Sequence, residues 1–382
     1  MRFKIVAAGL ALAFSAGAQA QVQDSVTLYG VIDTAIQYAN NIGATKSSSI
    51  YFPTLTSSWP SYWGLRGIEK LSDNLSAVFN LEAGFAPGTG ESQQGRLFGR
   101  QAWVGLRGDW GQIAFGDQYN MLFWALAKPS NIMGPNAHGF GTLDSYTPNA
   151  RMNNSVTYRG TWSGFDFGLA YARGRDTVNG GPAVLGGNPG ASNCGVNYAS
   201  NSDCRAYSAL LAYDSASWGF STAYDVITGS DSPSFTPNFY RLGSGEKDRR
   251  IVVSGYARLD AVTVGLTYMN RKSEGAIGVG QGLGDRSDLW SLGASWRLTS
   301  AATLDGSVNY MRYGNATESS RSMFYVARAK YALSKRTSTY VSVGYMQNKG
   351  NANLAAAGGA VNVNPVPGQS QTSVMVGLRH DF

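Results

Sequence analysis

The sequence predicts an all-β fold, a sixteen-stranded antiparallel transmembrane β-barrel. Three observations carry this expectation: apolar and polar residues alternate with a period of two, connections are alternately short and long, and the chain opens with an export leader. Composition agrees, with 48 glycines in 382 residues, 12% aromatic residues and 14% charged ones. An ordinary soluble chain has about 7% glycine and about 25% charged residues.

Residues 1–20, MRFKIVAAGLALAFSAGAQA, set Arg2 and Lys4 before the apolar run Ile5 to Phe14 and close on Ala18-Gln19-Ala20. That is the layout of a cleaved signal peptide, whose apolar core is too short to span a membrane. Residues 21–382 then form the barrel domain. No later stretch has eighteen consecutive apolar residues, so no transmembrane helix is expected. The net charge is +7, but no Lys/Arg run exceeds two residues, and a nucleic-acid partner is not expected.

Side chains on a strand alternate between two faces. In the first run Val26, Leu28, Ile32 and Ile36 oppose Thr27, Asp33 and Gln37. Leu75, Phe79 and Leu81 oppose Ser76, Asn80 and Glu82, and Val374, Val376, Leu378 and Phe382 oppose Ser373, Gly377, Arg379 and Asp381. Seven short turns fall near residues 67–74, 108–111, 160–164, 214–217, 258–261, 298–301 and 333–337. Eight longer loops fall near 39–58, 86–95, 118–150, 174–204, 227–249, 271–287, 314–320 and 348–371. Fifteen connections join sixteen strands with both ends on the short-turn side, the pattern of an outer-membrane barrel. Closure leaves no unpaired edge in hydrocarbon. Trp110, Trp162, Trp218 and Trp296 lie at or near short turns and predict an interfacial girdle. A two-sheet sandwich also permits alternation, but not this strand number and loop asymmetry.

The third long loop, Asn120 to Ala150, has thirty-one residues without regular patterning. Such length in a compact domain marks a functional loop. The strand before it is expected to contain Arg96 and Arg100, and the strand after it to open with Arg151 and carry Arg159.

Cys194 and Cys204 lie ten apart in a polar segment and are expected to form a disulfide, contributing roughly 2–3 kcal/mol. Their surroundings lack a metal-ligand pattern, so no metal is expected. The chain has two histidines, His138 and His380, and neither a G-x-S-x-G elbow nor a phosphate-binding glycine loop. No enzyme activity and no cofactor are therefore expected. His380 shares the lipid-side face of Leu378 and Phe382, and Asp225, Asp231, Glu246 and Asp248 read as scattered, solvated loop charges.

SVTLYGVIDTAI, WGLRG, AVFNLE, FGRQAWVGLRG, NNSVTYRG and the closing VGLRHDF resemble, in this order, the Gram-negative general porins, particularly the β-proteobacterial group. The resemblance spans the mature chain. It implies a homotrimer of sixteen-stranded barrels whose inward-folded third extracellular loop constricts the pore. It also implies outer-membrane lipid, lipopolysaccharide and small hydrophilic solutes as partners, and Phe382 as the assembly signal.

By the same resemblance, Arg100 and Arg151 are wall arginines of the constriction. Parity sets Arg100 opposite a lipid-facing Trp103, and Arg151 on the face of Ser155, Thr157 and Arg159. An arginine facing lipid at mid-membrane costs about 2–4 kcal/mol, so both are expected inside. Arg66 and Tyr62 complete the candidate lining, although Tyr62 stands where many relatives have arginine and Val31 where one group has a basic residue. The loop centre, KPSNIMGPN, contributes Lys128, Ser130, Asn131 and Asn136 and no carboxylate, the nearest acids being Asp117 and Asp144. The expected function is passive diffusion of small hydrophilic solutes with a preference for anions. A phosphate- or dicarboxylate-specific channel, or a non-conducting adhesin or structural barrel, are the alternatives.

Overall fold

In the computed structural model, sixteen antiparallel strands close into a barrel in sequence order. They are β1 (Ser25–Ile42), β2 (Tyr62–Ser72), β3 (Leu75–Gly84), β4 (Gln101–Gly108), β5 (Gly111–Tyr119), β6 (Arg151–Trp162), β7 (Phe165–Arg173) and β8 (Arg205–Asp214). There follow β9 (Trp218–Thr228), β10 (Lys247–Leu259), β11 (Val262–Ser273), β12 (Arg286–Arg297), β13 (Ala302–Gly314), β14 (Ser319–Ala332), β15 (Thr337–Lys349) and β16 (Gln371–Asp381). The structure describes residues 24–382 apart from 54–55, 135, 145, 148–149, 175–202, 231–239, 275, 278–285, 315–318 and 359–362. The leader, Cys194 and Asp231 lie outside the described residues. Cys204 is buried and is not a free thiol.

The seam is formed by β1, which pairs with β2 along Ser25 to Val31 and with β16 along Val31 to Ala39. Phe382 extends it, exchanging two 3.0 Å backbone hydrogen bonds with Gly30. A Cβ at Gly30 would lie 2.5 Å from the Phe382 ring, so the close approach requires glycine there. The β6–β7 hairpin turns on Ser163 and Gly164, both at positive φ (48° and 83°), as a tight two-residue hairpin needs.

Alternation sorts the faces as expected. Val26, Leu28, Ile32 and Ile36 are exposed on the outer surface, while Asp33 and Gln37 are buried inside. Trp110, Trp162, Trp218 and Trp296 are exposed near the short turns. The largest apolar cluster joins Met121, Leu122, Phe140 and Leu143 to inward side chains of β11 through β15, among them Met269, Leu289, Met311, Phe324 and Met346. Each such buried side chain contributes roughly 1.5–3 kcal/mol.

Four placements differ from the sequence expectation. Arg96 and Arg100 precede β4 in an irregular stretch, two strands before the long loop. Trp103 faces inward, not to lipid: its indole N–H donates to Gln101 Oε1 at 2.9 Å, while Val104 and Leu106 are the exposed apolar positions. Parity counted from Arg100 failed because Arg100 is not on the strand. Between Arg151 and Ser155 the register shifts against Gly116–Gln118, with Asn154 at φ 50°, so parity does not carry through to Arg151. Asp225 and Asp248 are buried strand residues, not solvated loop charges.

Candidate pore lining

Arg100 leaves the β3–β4 connection and turns against β3. Its Nε lies 2.5 Å from Glu82 Oε1, its Nη2 donates to the Tyr119 hydroxyl at 2.8 Å, and its guanidinium lies 4.4 Å from the Tyr62 ring centre. Burial opposes its charge, but Tyr119 and Glu82 outweigh it and hold the guanidinium above its ordinary pKa. Glu82 also accepts from Tyr29 at 2.9 Å. Glu82 is thus the acid opposing Arg100, and it comes from the neighbouring strand rather than from the long loop. Arg96 is half-buried just after the turn Gln93–Gly95. Arg151 is fully buried, its guanidinium 5.9 Å from the Tyr119 ring centre.

A second group of arginines lies nearer the short turns. Register aligns Thr27, Arg66, Asn80 and Trp103 across β1–β4, and Arg107, Gln112 and Arg159 across β4–β6. Both rows line a cavity of about 450 Å³ that has no carboxylate in its wall. Arg66 lies over the Tyr29 ring (5.1 Å), and Arg159 over the Trp124 ring (3.8 Å). Arg107 donates from Nε and Nη2 to Gln112 Oε1 (3.0 and 2.7 Å). None of the three forms an ion pair among the described residues. Asp166, whose charge acts on Arg159, is held by Lys128 and by Thr161. Arg107 was missed in the sequence, although it shares parity with Gln101 and Trp103.

Residues 120–150 carry two short helices, α1 (Met121–Leu126) and α2 (Phe140–Leu143). The Asn120 side chain caps α1 by accepting from Phe123 N, and donates to Asp225 at 2.7 Å. Met121 N donates to Ser208, Ser130 to Ser254 (3.0 Å), and Ser221 to the Ala125 carbonyl (2.9 Å). Arg328 spans from Asp305 (2.8 Å) to the carbonyls of Ile132 and Met133 (both 3.4 Å). Asn131 and Asn136 hydrogen-bond within the segment itself, to the Leu126 and Met133 carbonyls.

His138 is fully buried, with Nδ1 2.7 Å from Ser342 Oγ and Nε2 3.1 Å from Ser373 Oγ. Burial first, and then the positive charge of Arg328, push its pKa down to about 3. At the far end Asp144 pairs with Arg250 (3.0 Å), which shares Asp248 with Arg271. The wall makes room by omitting side chains. A Cβ at Gly168, Gly265, Gly293 or Gly344 would lie 2.3 to 2.9 Å from Met121, Ser130, Ile132 or Phe324, and at Gly344 also 3.2 Å from His138.

A closed sixteen-stranded barrel with an apolar exterior and a charged interior defines a diffusion channel of the outer membrane. The family model described as Gram-negative porin matches residues 7–351. An outer membrane porin protein of Bordetella pertussis is 30% identical, with 100% of both chains covered. Outer membrane porin protein 32 of Delftia acidovorans is 28% identical, with 98% of each covered. Among solved structures, the anion-selective porin from Comamonas acidovorans superposes with a TM-score of 0.73 at 22% identity, covering 94% of this chain and 100% of that one. The chain belongs to the Gram-negative porin family: it is a multi-pass outer-membrane barrel and a passive channel.

Proposed function

We propose that this porin prefers anions, and that residues 120–150 fold inward and narrow its lumen. The carboxylate-free cavity carries the anion reading, because Arg66, Arg107 and Arg159 line it with no acid in its wall and form no ion pair among the described residues. A water-filled pore selects by its width and by the sign of charge along its wall. Exposed charges beyond ~8–10 Å are screened, so these three weigh more than the net +7 of the chain. Arg100 weighs less than its constriction role implies, since Glu82 offsets it. Contacts of the long loop with Ser208, Ser254, Ser342 and Ser373 on inward strand positions support the folded-in loop. Lys128, Ser130, Asn131 and Asn136 then act mainly as anchors of that loop.

The reversal potential across a KCl gradient tests the preference. An anion-directed potential is expected, and a cation-directed one overturns it. Family membership supports a homotrimer seated in lipid and lipopolysaccharide, with Phe382 as the assembly signal. Comparing heated and unheated protein on a native gel tests the trimer, and a single band at monomer size overturns it.

A further inference from the structure

The cavity around Arg66, Arg107 and Arg159 also holds two indoles, Trp103 and Trp124. Trp124 already lies against one guanidinium, and Trp103 has its ring anchored through its N–H to Gln101. Ile68 and Val78 add apolar wall between the charged rows. We propose that this cavity is a binding subsite for a carboxylate with a flat aromatic body, the carboxylate meeting the guanidiniums and the ring meeting the indoles.

This proposal rests on the anion reading and adds a chemical class to it. A guanidinium presents two parallel N–H donors that match a carboxylate edge. Arg107 now spends two donors on one neutral oxygen of Gln112, a partner that a charged carboxylate outcompetes. Three interior arginines elsewhere have acids already: Arg100 has Glu82, Arg250 has Asp144, and Arg328 has Asp305. Here the wall holds no acid, and a ligand carboxylate would supply one. Chloride or inorganic phosphate satisfies the charge but leaves the indole faces and the apolar wall in water. An aromatic body covers them, and aromatic pairs add attraction beyond the area they bury. A volume of about 450 Å³ falls within the range of small-molecule sites.

Chloride current through the purified full-length protein in a planar bilayer, titrated with benzoate, acetate or benzyl alcohol, is the test. Benzoate is expected to block saturably, at roughly fivefold lower concentration than acetate, with no block by benzyl alcohol. Trp103→Leu should bring the benzoate-to-acetate ratio close to one, whereas Arg107→Gln should weaken block by both carboxylates in parallel. Equal block by benzoate and acetate in the unmodified protein overturns the subsite, and so does a ratio that Trp103→Leu does not move. If a variant does not insert, the unmodified ratio decides alone. The reversal potential of the same preparation separates the two readings. An anion-directed potential with equal block overturns the subsite only, and a cation-directed potential overturns the anion reading as well.

Discussion

Glu82 and Arg100 form a buried pair, 2.5 Å apart, between β3 and the stretch that leads into β4. The arginine expected to dominate the pore's potential is therefore half of a neutral unit. Tyr29 and Tyr119 hold the two partners from either side.

Neutralising the acid should accordingly raise anion preference. Glu82→Gln keeps the shape and leaves Arg100 charged, adding one positive charge to the wall. The anion-to-cation permeability ratio is expected to rise roughly twofold, as one charge at close range in a wet pore implies. Reversal potentials of the two proteins in the same KCl gradient decide it, and a fall in the ratio counts against the assignment of Arg100 to the pore wall.

The far end of the long loop is tied by Asp144 to Arg250. Asp144→Asn breaks a buried ion pair, although Asp248 still partners Arg250. A loss of about 3 kcal/mol is expected, read from the unfolding midpoint in detergent. Open-channel current noise should increase as the loop end comes loose. A variant as stable and as quiet as the parent would show that the pair is not a tether.

His138 gives folding stability a pH dependence with a definite sign. Its folded pKa, about 3, lies below the ordinary value of 6.5, so the folded protein excludes a proton that the unfolded chain binds. Its stabilisation is present above pH 6.5 and is lost as pH falls toward 3, at about 1.4 kcal/mol per pH unit at most. Unfolding midpoints measured from pH 7 to pH 4 should fall more steeply in the parent than in His138→Asn. Parallel curves would remove His138 from the account.

The wall glycines offer a test that leaves every charge in place. At Gly265 an added Cβ would lie 2.3 Å from the Ser130 carbonyl oxygen, so Gly265→Leu should push that part of the loop off β11. Single-channel conductance is expected to change in Gly265→Leu and to stay near the parent value in Gly255→Leu. The nearest atom to a Cβ at Gly255 is 3.6 Å away. Equal conductance in all three proteins would argue that the loop does not narrow the pore.

The sixteen strands were legible because alternation is a local property, printed every second residue along each of them. The long loop was legible as an anomaly of length. Its moorings were not. Asp225 meets Asn120 across 105 positions of sequence, and Arg328 meets the Met133 carbonyl across 195, so no local pattern marks either pairing. Glu82 was correctly placed on a polar face, but its opposition to Arg100 depends on how an irregular connection turns back. Trp103 shows the limit of parity: counted from a residue off the strand it gives the wrong face, and counted from Gln101 it gives the right one. The high glycine content gave no hint that four of the glycines line the path of one loop.

That row of absent side chains has a mechanical consequence. Gly168, Gly265, Gly293 and Gly344 lie on four different strands, and each admits one point of the same segment. A loop seated at four such points would meet neighbouring side chains if it slid along a closely packed wall. On the inward-folded reading, its departures are expected to be lift-offs rather than gradual drift, and single-channel current is expected to change in discrete steps.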